Sequence, residues 1–593
     1  MKRLSLVLRL GAACAAVSIA AVAIPLRANP GGAGSARFQL VETDIATIQK
    51  ALQTRLLTTE QLVQMYLNRI AAYDSLLNSY MHVNGAALAD ARASDATRHR
   101  GNMKSPLFGV PMIVKDNLDT FDMPTTAGSV ALGGNIPPSD SFVARRLREA
   151  GVILLGKGTL TEYANFLTTG MPAGFSSQLR FQLGGGALVG YGFNPFDPRP
   201  DPRAGVNDGR PALSPGGSSS GPGIAVAANL AAVGIGTETS GSILSPGTQN
   251  LLVGIKPTVG LVSRDGIVPI TADQDTAGPL ARTVTDAAIV LGAIAGRDPA
   301  DPETDKCLTP GRCFSDYTQF LDRRALRGAR IAVPHFSYWT NAAGTVTLTP
   351  TQLQVMNDAI AVMRAEGAYV ADPYEIPTQA ALNAFPGCPA TGACSSVLLY
   401  GFKRDLNAYF TAHPPSVPIH TLADVIAYNN AHSSVALKYG QVLANRSEAL
   451  DTSPGSADTA KYLADRALDL SLSRGGLDAI YNGPDGIRGT ADDFDAVLFP
   501  ANRGANIAAR AGYPSIVVPG GFVTNKPQLN VPPGTAFPDG FNPKDAPYGV
   551  TFSGPAFGEP RLIGLAYAFE QATHHREAPS SAPPLAGDSV RRP

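Results

Sequence analysis

Apolar and polar positions along the chain repeat with two different periods. From Thr59 the run TEQLVQMYLNRIAAY sets apolar residues three and four apart, which is the spacing of one helical face. Thr58, with Gln61 three residues later, forms a capping box at the start of that helix. Helical patterning dominates up to about Arg100, after which short continuous apolar runs appear: GVPMIVKD, VILLGK, AAVGIGT, ARIAVP, DAVLFP and SIVVPG. They are separated by helical stretches such as SFVARRLREAG. Short apolar runs that do not alternate belong to strands buried on both faces, so the pattern predicts an α/β fold with helices on both sides of a sheet.

Two segments break the rhythm. Residues 168–213, rich in Gly, Pro, Asn and Asp, read as a long surface loop. Residues 482–495, NGPDGIRGTADDFD, bring Asp485, Asp492 and Asp493 close together. They are candidate oxygen ligands for Ca²⁺, set against a plain turn-rich loop because the full EF-hand pattern and its bidentate Glu are missing. Residues 29–40 read as a linker, 41–575 as one folded body and 576–593 as a disordered tail.

The 593 residues carry 48 Lys+Arg and 48 Asp+Glu, so no basic excess is available to neutralise phosphates, and nucleic acid is not an expected partner. With 44% hydrophobic residues the chain is too apolar for disorder, while 61 Gly and 48 Pro make it rich in turns. At the N-terminus Lys2, Arg3 and Arg9 precede an Ala-rich apolar stretch from Leu10 to Pro25, followed by Leu26-Arg27-Ala28. This reads as a signal peptide over residues 1–28, giving a periplasmic or secreted protein with no stable membrane anchor after cleavage. Gly11-Ala12-Ala13 before Cys14 is a poor lipidation motif. Beyond the leader, Cys307 and Cys313, and Cys388 and Cys394, are each separated by five residues. Two local disulfides are the first expectation, with free thiols or cross-pairing as the alternatives.

Candidate chemistry concentrates between Ser214 and Ser263. The segment opens with Gly-Gly-Ser-Ser-Ser-Gly, enters the strand pattern AAVGIGT and ends in Glu238-Thr239-Ser240-Gly241-Ser242. Glycines at 216, 217, 221, 223 and 241 let a carbonyl approach main-chain N–H groups closely, which is what an oxyanion hole requires. A serine hydroxyl needs a base, yet none of the eight histidines sits in a catalytic motif and no G-x-S-x-G elbow is present. Lys115 in GVPMIVKDN is the candidate: burial at a strand end lowers a lysine pKa until the amine is neutral. The competing reading pairs it with a carboxylate such as Asp116. Asp275 in DQDTAGP reads as a turn-ordering residue, Lys256 in GIKPTVG as a structural charge and Trp339 as packing.

Taken together, these motifs resemble the amidase signature hydrolases. The GVPMIVKD lysine, the first serine of the Gly-Gly-Ser run and a second serine 24 positions later are all present, as Lys115, Ser218 and Ser242. GIKPTVGLVSRDGIVPITADQDTAGPLARTVTDAA and DAVLFPAN…AGYPSIVVPGG continue the likeness. The resemblance implies one large mixed twisted sheet covered by helices and a catalytic domain over 41–575. It implies Lys115 as base, Ser218 as a relay after a cis peptide bond, Ser242 as nucleophile, and an oxyanion hole from the N–H groups of Thr239, Ser240, Gly241 and Ser242. It also implies that no cofactor is needed. The wording GTETSGSI and KPTVGLVSRDGIVPI is similar to bacterial exported peptide amidases, so the expected substrate is a small-molecule or short peptide amide. A general aliphatic or aryl amidase, an esterase, and a non-catalytic periplasmic solute-binding protein are the alternatives.

Overall fold

The computed structural model describes residues 37–101, 105–385, 396–525 and 536–591. The leader 1–28, most of the linker and the Cys388/Cys394 pair lie outside the described residues. The strands are β1 (Arg37–Gln39), β2 (Tyr80–Val83), β3 (Pro111–Lys115), β4 (Ile153–Gly158), β5 (Val233–Glu238), β6 (Val253–Lys256), β7 (Thr276–Ala281), β8 (Arg330–Ala332), β9 (Tyr369–Ala371), β10 (Ala496–Pro500), β11 (Ser515–Val523), β12 (Ala546–Ser553) and β13 (Ser589–Arg591). Eleven of them form one mixed sheet in the order β2-β4-β3-β5-β7-β6-β11-β12-β10-β8-β9. The pairs β3/β4, β3/β5, β8/β10 and β8/β9 are parallel and the rest antiparallel.

Each apolar run predicted as a strand lies in this sheet. β3, β4, β5, β6, β7, β10 and β12 are buried at every position, as continuous rather than alternating apolar runs require. Thr58 caps the helix Thr59–Leu77 and Gln61 completes the capping box. Ser141 caps the helix Phe142–Glu149 that links β3 to β4. No helix among the described residues is long and apolar enough to cross a membrane.

The structure corrects several expectations. The tail is ordered through Arg591: β13 pairs antiparallel with β1, so the last linker residues are strand too, with Phe38 and Leu40 buried. Arg69, fully buried, donates to Asp588 and to the carbonyls of Ala582 and Pro583, which draws the tail onto the body. A chain rich in Pro and Ser carries no periodic signal for such docking, because the anchor is one distant arginine. The 168–213 segment is no surface loop throughout. It contains the helix Ser177–Gln182, and Phe175, Tyr191, Asn194, Asp197, Asp201 and Arg203 are buried. In 482–495 the candidate calcium ligands take other partners. Asp492 accepts from the Asp485 N–H and the Thr490 hydroxyl, and Asp493 accepts from the Gly489 N–H and pairs with Arg488. Among the described residues no group of three or more His, Cys, Asp or Glu is arranged to hold a metal. Cys307 and Cys313 form a disulfide, one of the two expected pairs.

Candidate active site

The site lies where β3 and β5 end side by side. Parallel pairing matches Val114 with Ile235, so Lys115 and the Gly236-Thr237 end of β5 lie at the same end of the sheet. Lys115 is fully buried. Its Nζ lies 2.8 Å from Ser218 Oγ, 2.8 Å from Thr237 Oγ1 and 3.4 Å from the Thr237 carbonyl. Asp116 does not neutralise it. That carboxylate accepts from the Thr126 hydroxyl and faces Lys157 at 3.4 Å. Among the described residues no carboxylate lies within ion-pair distance of Lys115, and burial brings its amine down to about 7, against the weaker upward pull of Asp275 and Glu238.

Ser218 follows a cis Gly217–Ser218 peptide, as the resemblance implied. The side of Gly217 faces Thr161 so closely that a Cβ there would come within 2.7 Å of Thr161 Oγ1, which reserves the position for glycine. Thr161 also donates its N–H to the Ser218 carbonyl at 3.0 Å. Ser219 accepts from the Thr237 N–H at 3.1 Å and donates its hydroxyl to the Thr237 carbonyl at 3.0 Å, fastening the serine run to β5.

Beyond β5 the chain turns through Gly241, whose φ of +90° is left-handed backbone that glycine adopts without steric cost. Glu238 closes this turn, its carboxylate accepting the N–H groups of Ile243 and Leu244 at 2.7 and 3.0 Å. Ser242 is buried and its carbonyl accepts the Ser219 N–H at 3.2 Å. The two serines are thus tied together through the backbone. Among the described residues no hydrogen bond joins the Ser218 and Ser242 hydroxyls, and catalytic contacts are often looser without substrate. The N–H groups of Ser240 and Ser242 have no intramolecular acceptor among the described residues, whereas Gly241 directs its N–H at Glu238.

Sequence reasoning missed the layer behind these residues. Thr237 receives Lys115, and Asn117 donates to Thr237 Oγ1 at 3.1 Å. Both stand inside the motifs already singled out, and only the parallel register shows which side chains converge. Asp275 orders a turn as expected, accepting the N–H groups of Ile270 and Thr271, and it also receives the Thr239 hydroxyl at 2.5 Å. Lys256 donates to the Tyr513 carbonyl at 2.7 Å. Trp339 is buried and stacked on His335.

Comparison with known proteins agrees with this geometry. The amidase family model matches residues 61–563. A probable amidase of Arabidopsis thaliana is 35% identical over 550 residues, covering 92% of this chain and 93% of the plant protein. The structure of native peptide amidase from Stenotrophomonas maltophilia superposes with a TM-score of 0.74 at 38% identity, over 92% of this chain and 99% of that one. A peptide amidase in complex with the competitive inhibitor chymostatin gives 0.74 and 38%, over 91% and 99%. The chain belongs to the amidase signature family and is a hydrolase that acts on amides.

Proposed function

We propose that the chain cleaves C-terminal peptide amides and releases ammonia, with Ser242 as nucleophile, Ser218 as proton relay and Lys115 as base. The observation that carries this reading is the buried, carboxylate-free Lys115 in contact with Ser218. A neutral amine has two N–H groups and one lone pair. Thr237 offers two acceptors to Lys115, its hydroxyl and its carbonyl, and filling both turns the lone pair toward the Ser218 hydroxyl. Ser218 then passes its proton to Lys115 as it takes the proton of Ser242, whose oxygen attacks the amide carbonyl. The oxyanion forms against the N–H groups in 239–242 that Glu238 does not hold, Ser240 and Ser242 among them, where one such donor is worth roughly 10²–10³ in rate. Ser218 protonates the leaving amine, and water releases the acyl group by the reverse path. The peptide preference rests on the peptide amidases at 38% identity. Export of the mature chain to the periplasm or medium is proposed on the leader sequence.

The test is ammonia release from a C-terminally amidated peptide by wild type and by the Ser242→Ala, Lys115→Ala and Thr237→Val variants. Losses of at least about 10³-fold are expected for the first two. Thr237→Val should lose about 10–100-fold in kcat with little change in KM, since it misdirects a base without touching substrate. The base must be neutral, so kcat/KM should rise with pH through about 7. Full activity in Ser242→Ala overturns the mechanism. No release from any peptide amide removes the substrate class and leaves anilides and esters as the candidates.

A further inference from the structure

A cavity of about 270 Å³ lies where six chain segments meet: the turn after β6, Asp273 before β7, the 302–313 loop, the helix Ala457–Tyr481, the turn before β11 and the turn after β12. Its walls carry four cations, Lys306, Arg312, Arg466 and Arg474, and only two carboxylates, Asp273 and Glu303. Both carboxylates are committed. Glu303 pairs with Lys306, while Asp273 pairs with Arg404 at 3.1 Å, faces Arg466 at 3.5 Å and accepts from the Tyr462 hydroxyl at 2.8 Å. Arg474 donates its Nε to the Ala511 carbonyl, and Arg312 lies over the Phe557 ring with its guanidinium 4.9 Å from the centroid. Among the described residues neither of these two has a carboxylate partner. Burial disfavours the charge of Arg466 against the opposing pull of Asp273 and Asp469, and the neighbouring Arg474 adds a smaller repulsion. Two guanidiniums without a carboxylate partner thus face one cavity, where they can pair with an anion.

The cavity is placed relative to the nucleophile by the helix Ala505–Ala511. Ala505 abuts Gly241, with its Cβ 3.5 Å from where a Gly241 Cβ would stand, and Ala511 lines the cavity. Seven residues at 1.5 Å each put the two ends about 10 Å apart, a span that an extended peptide covers in about three residues.

We propose that this cavity is a binding site for a carboxylate held between Arg312 and Arg474. Planar, forked guanidinium donors match a carboxylate bidentately, and Phe557 and the aliphatic part of Val259 give the ligand's carbon skeleton an apolar wall. The Cys307–Cys313 disulfide fixes the loop that carries Arg312. The carboxylate has two possible sources: a small organic acid in solution, or an acidic side chain of a peptide amide whose other end occupies Ser242. The second rests on the peptide reading above.

Isothermal titration of the full chain with succinate, and with inorganic phosphate for comparison, tests the site directly. Saturable one-to-one binding of succinate is expected, weakened at least tenfold in Arg312→Ala/Arg474→Ala. The unliganded thermal midpoint should not change, because Arg474 is exposed and Arg312 only half-buried. A second arm compares kcat/KM for two peptide amides with Glu or Gln three residues before the amide. A Glu preference that disappears in the double variant assigns the site to substrate, and succinate binding without that preference assigns it to a free acid. No succinate binding and no Glu preference overturn the proposal. Were no peptide amide turned over at all, the substrate reading would fall while the titration still decided the cavity.

Discussion

Lys115, the base in the mechanism proposed above, is costly to the fold. Its amine is held at about 7 against an ordinary 10.5, so the folded state disfavours the charged form that the unfolded chain keeps. For a lowered cation the penalty is full below the folded value and fades as pH rises toward the unfolded one. A shift of this size corresponds to several kcal/mol at pH 6. Lys115→Met is therefore expected to abolish amide hydrolysis yet raise the thermal midpoint by a few degrees at pH 6, since a chain of this length gives about 1 °C per kcal/mol. The gain should shrink at pH 10, and scanning calorimetry at the two pH values reads it. The lysine and both serines were legible from sequence because each occupies a fixed place in a dense motif. Thr237 and Asn117 were not, because their roles depend on which strand lies beside which.

At the scale of elements, the 168–213 segment is latched as well as folded. Lys438 donates to the carbonyls of Ala187 and Asp208 at 2.6 and 2.8 Å and to the Tyr191 hydroxyl at 2.7 Å. Tyr439 donates to Asp208 at 2.6 Å. The near end of the segment reaches the proposed relay serine: the Gly174 N–H donates to Thr161 Oγ1 at 3.0 Å, and Thr161 holds the Ser218 carbonyl. Charged hydrogen bonds of this kind contribute about 1.5–3 kcal/mol each. Lys438→Met should thus raise the open population of the segment at least tenfold, seen as faster proteolytic nicking around the exposed Leu183 and Leu188. An unchanged nicking rate would show that the latch contributes nothing. Composition alone marked this stretch as a loop, since its Gly, Pro and Asp content hides the aromatic and lysine partners about 230–250 positions away that bury it.

At the scale of the whole molecule, the sheet was legible because its strands are continuous apolar runs, whereas the docking of residues 37–40 against 582–591 was not. Arg69 explains the docking. Besides Asp588 and the two tail carbonyls it donates to the carbonyls of Ala228 and Asn229 at 2.9 Å each, so every nitrogen is used. Arg69→Ala leaves Asp588 buried and unpaired and is expected to cost about 3–5 kcal/mol, lowering the thermal midpoint by a similar number of degrees. Ending the chain after Ala578 should give a comparable loss. A midpoint unchanged by either would show that the clasp is ornamental to stability.

The pairing of β1 with β13 also sets a timetable. The ribosome makes Arg37–Gln39 first and its partner Ser589–Arg591 about 550 residues later, at about 5–20 residues per second. For roughly half a minute to two minutes the first strand has no edge to join, and Phe38 and Leu40 lack their final cover. The clasp can close only once Ser589–Arg591 has been made, so through that whole interval the first strand stays unfastened.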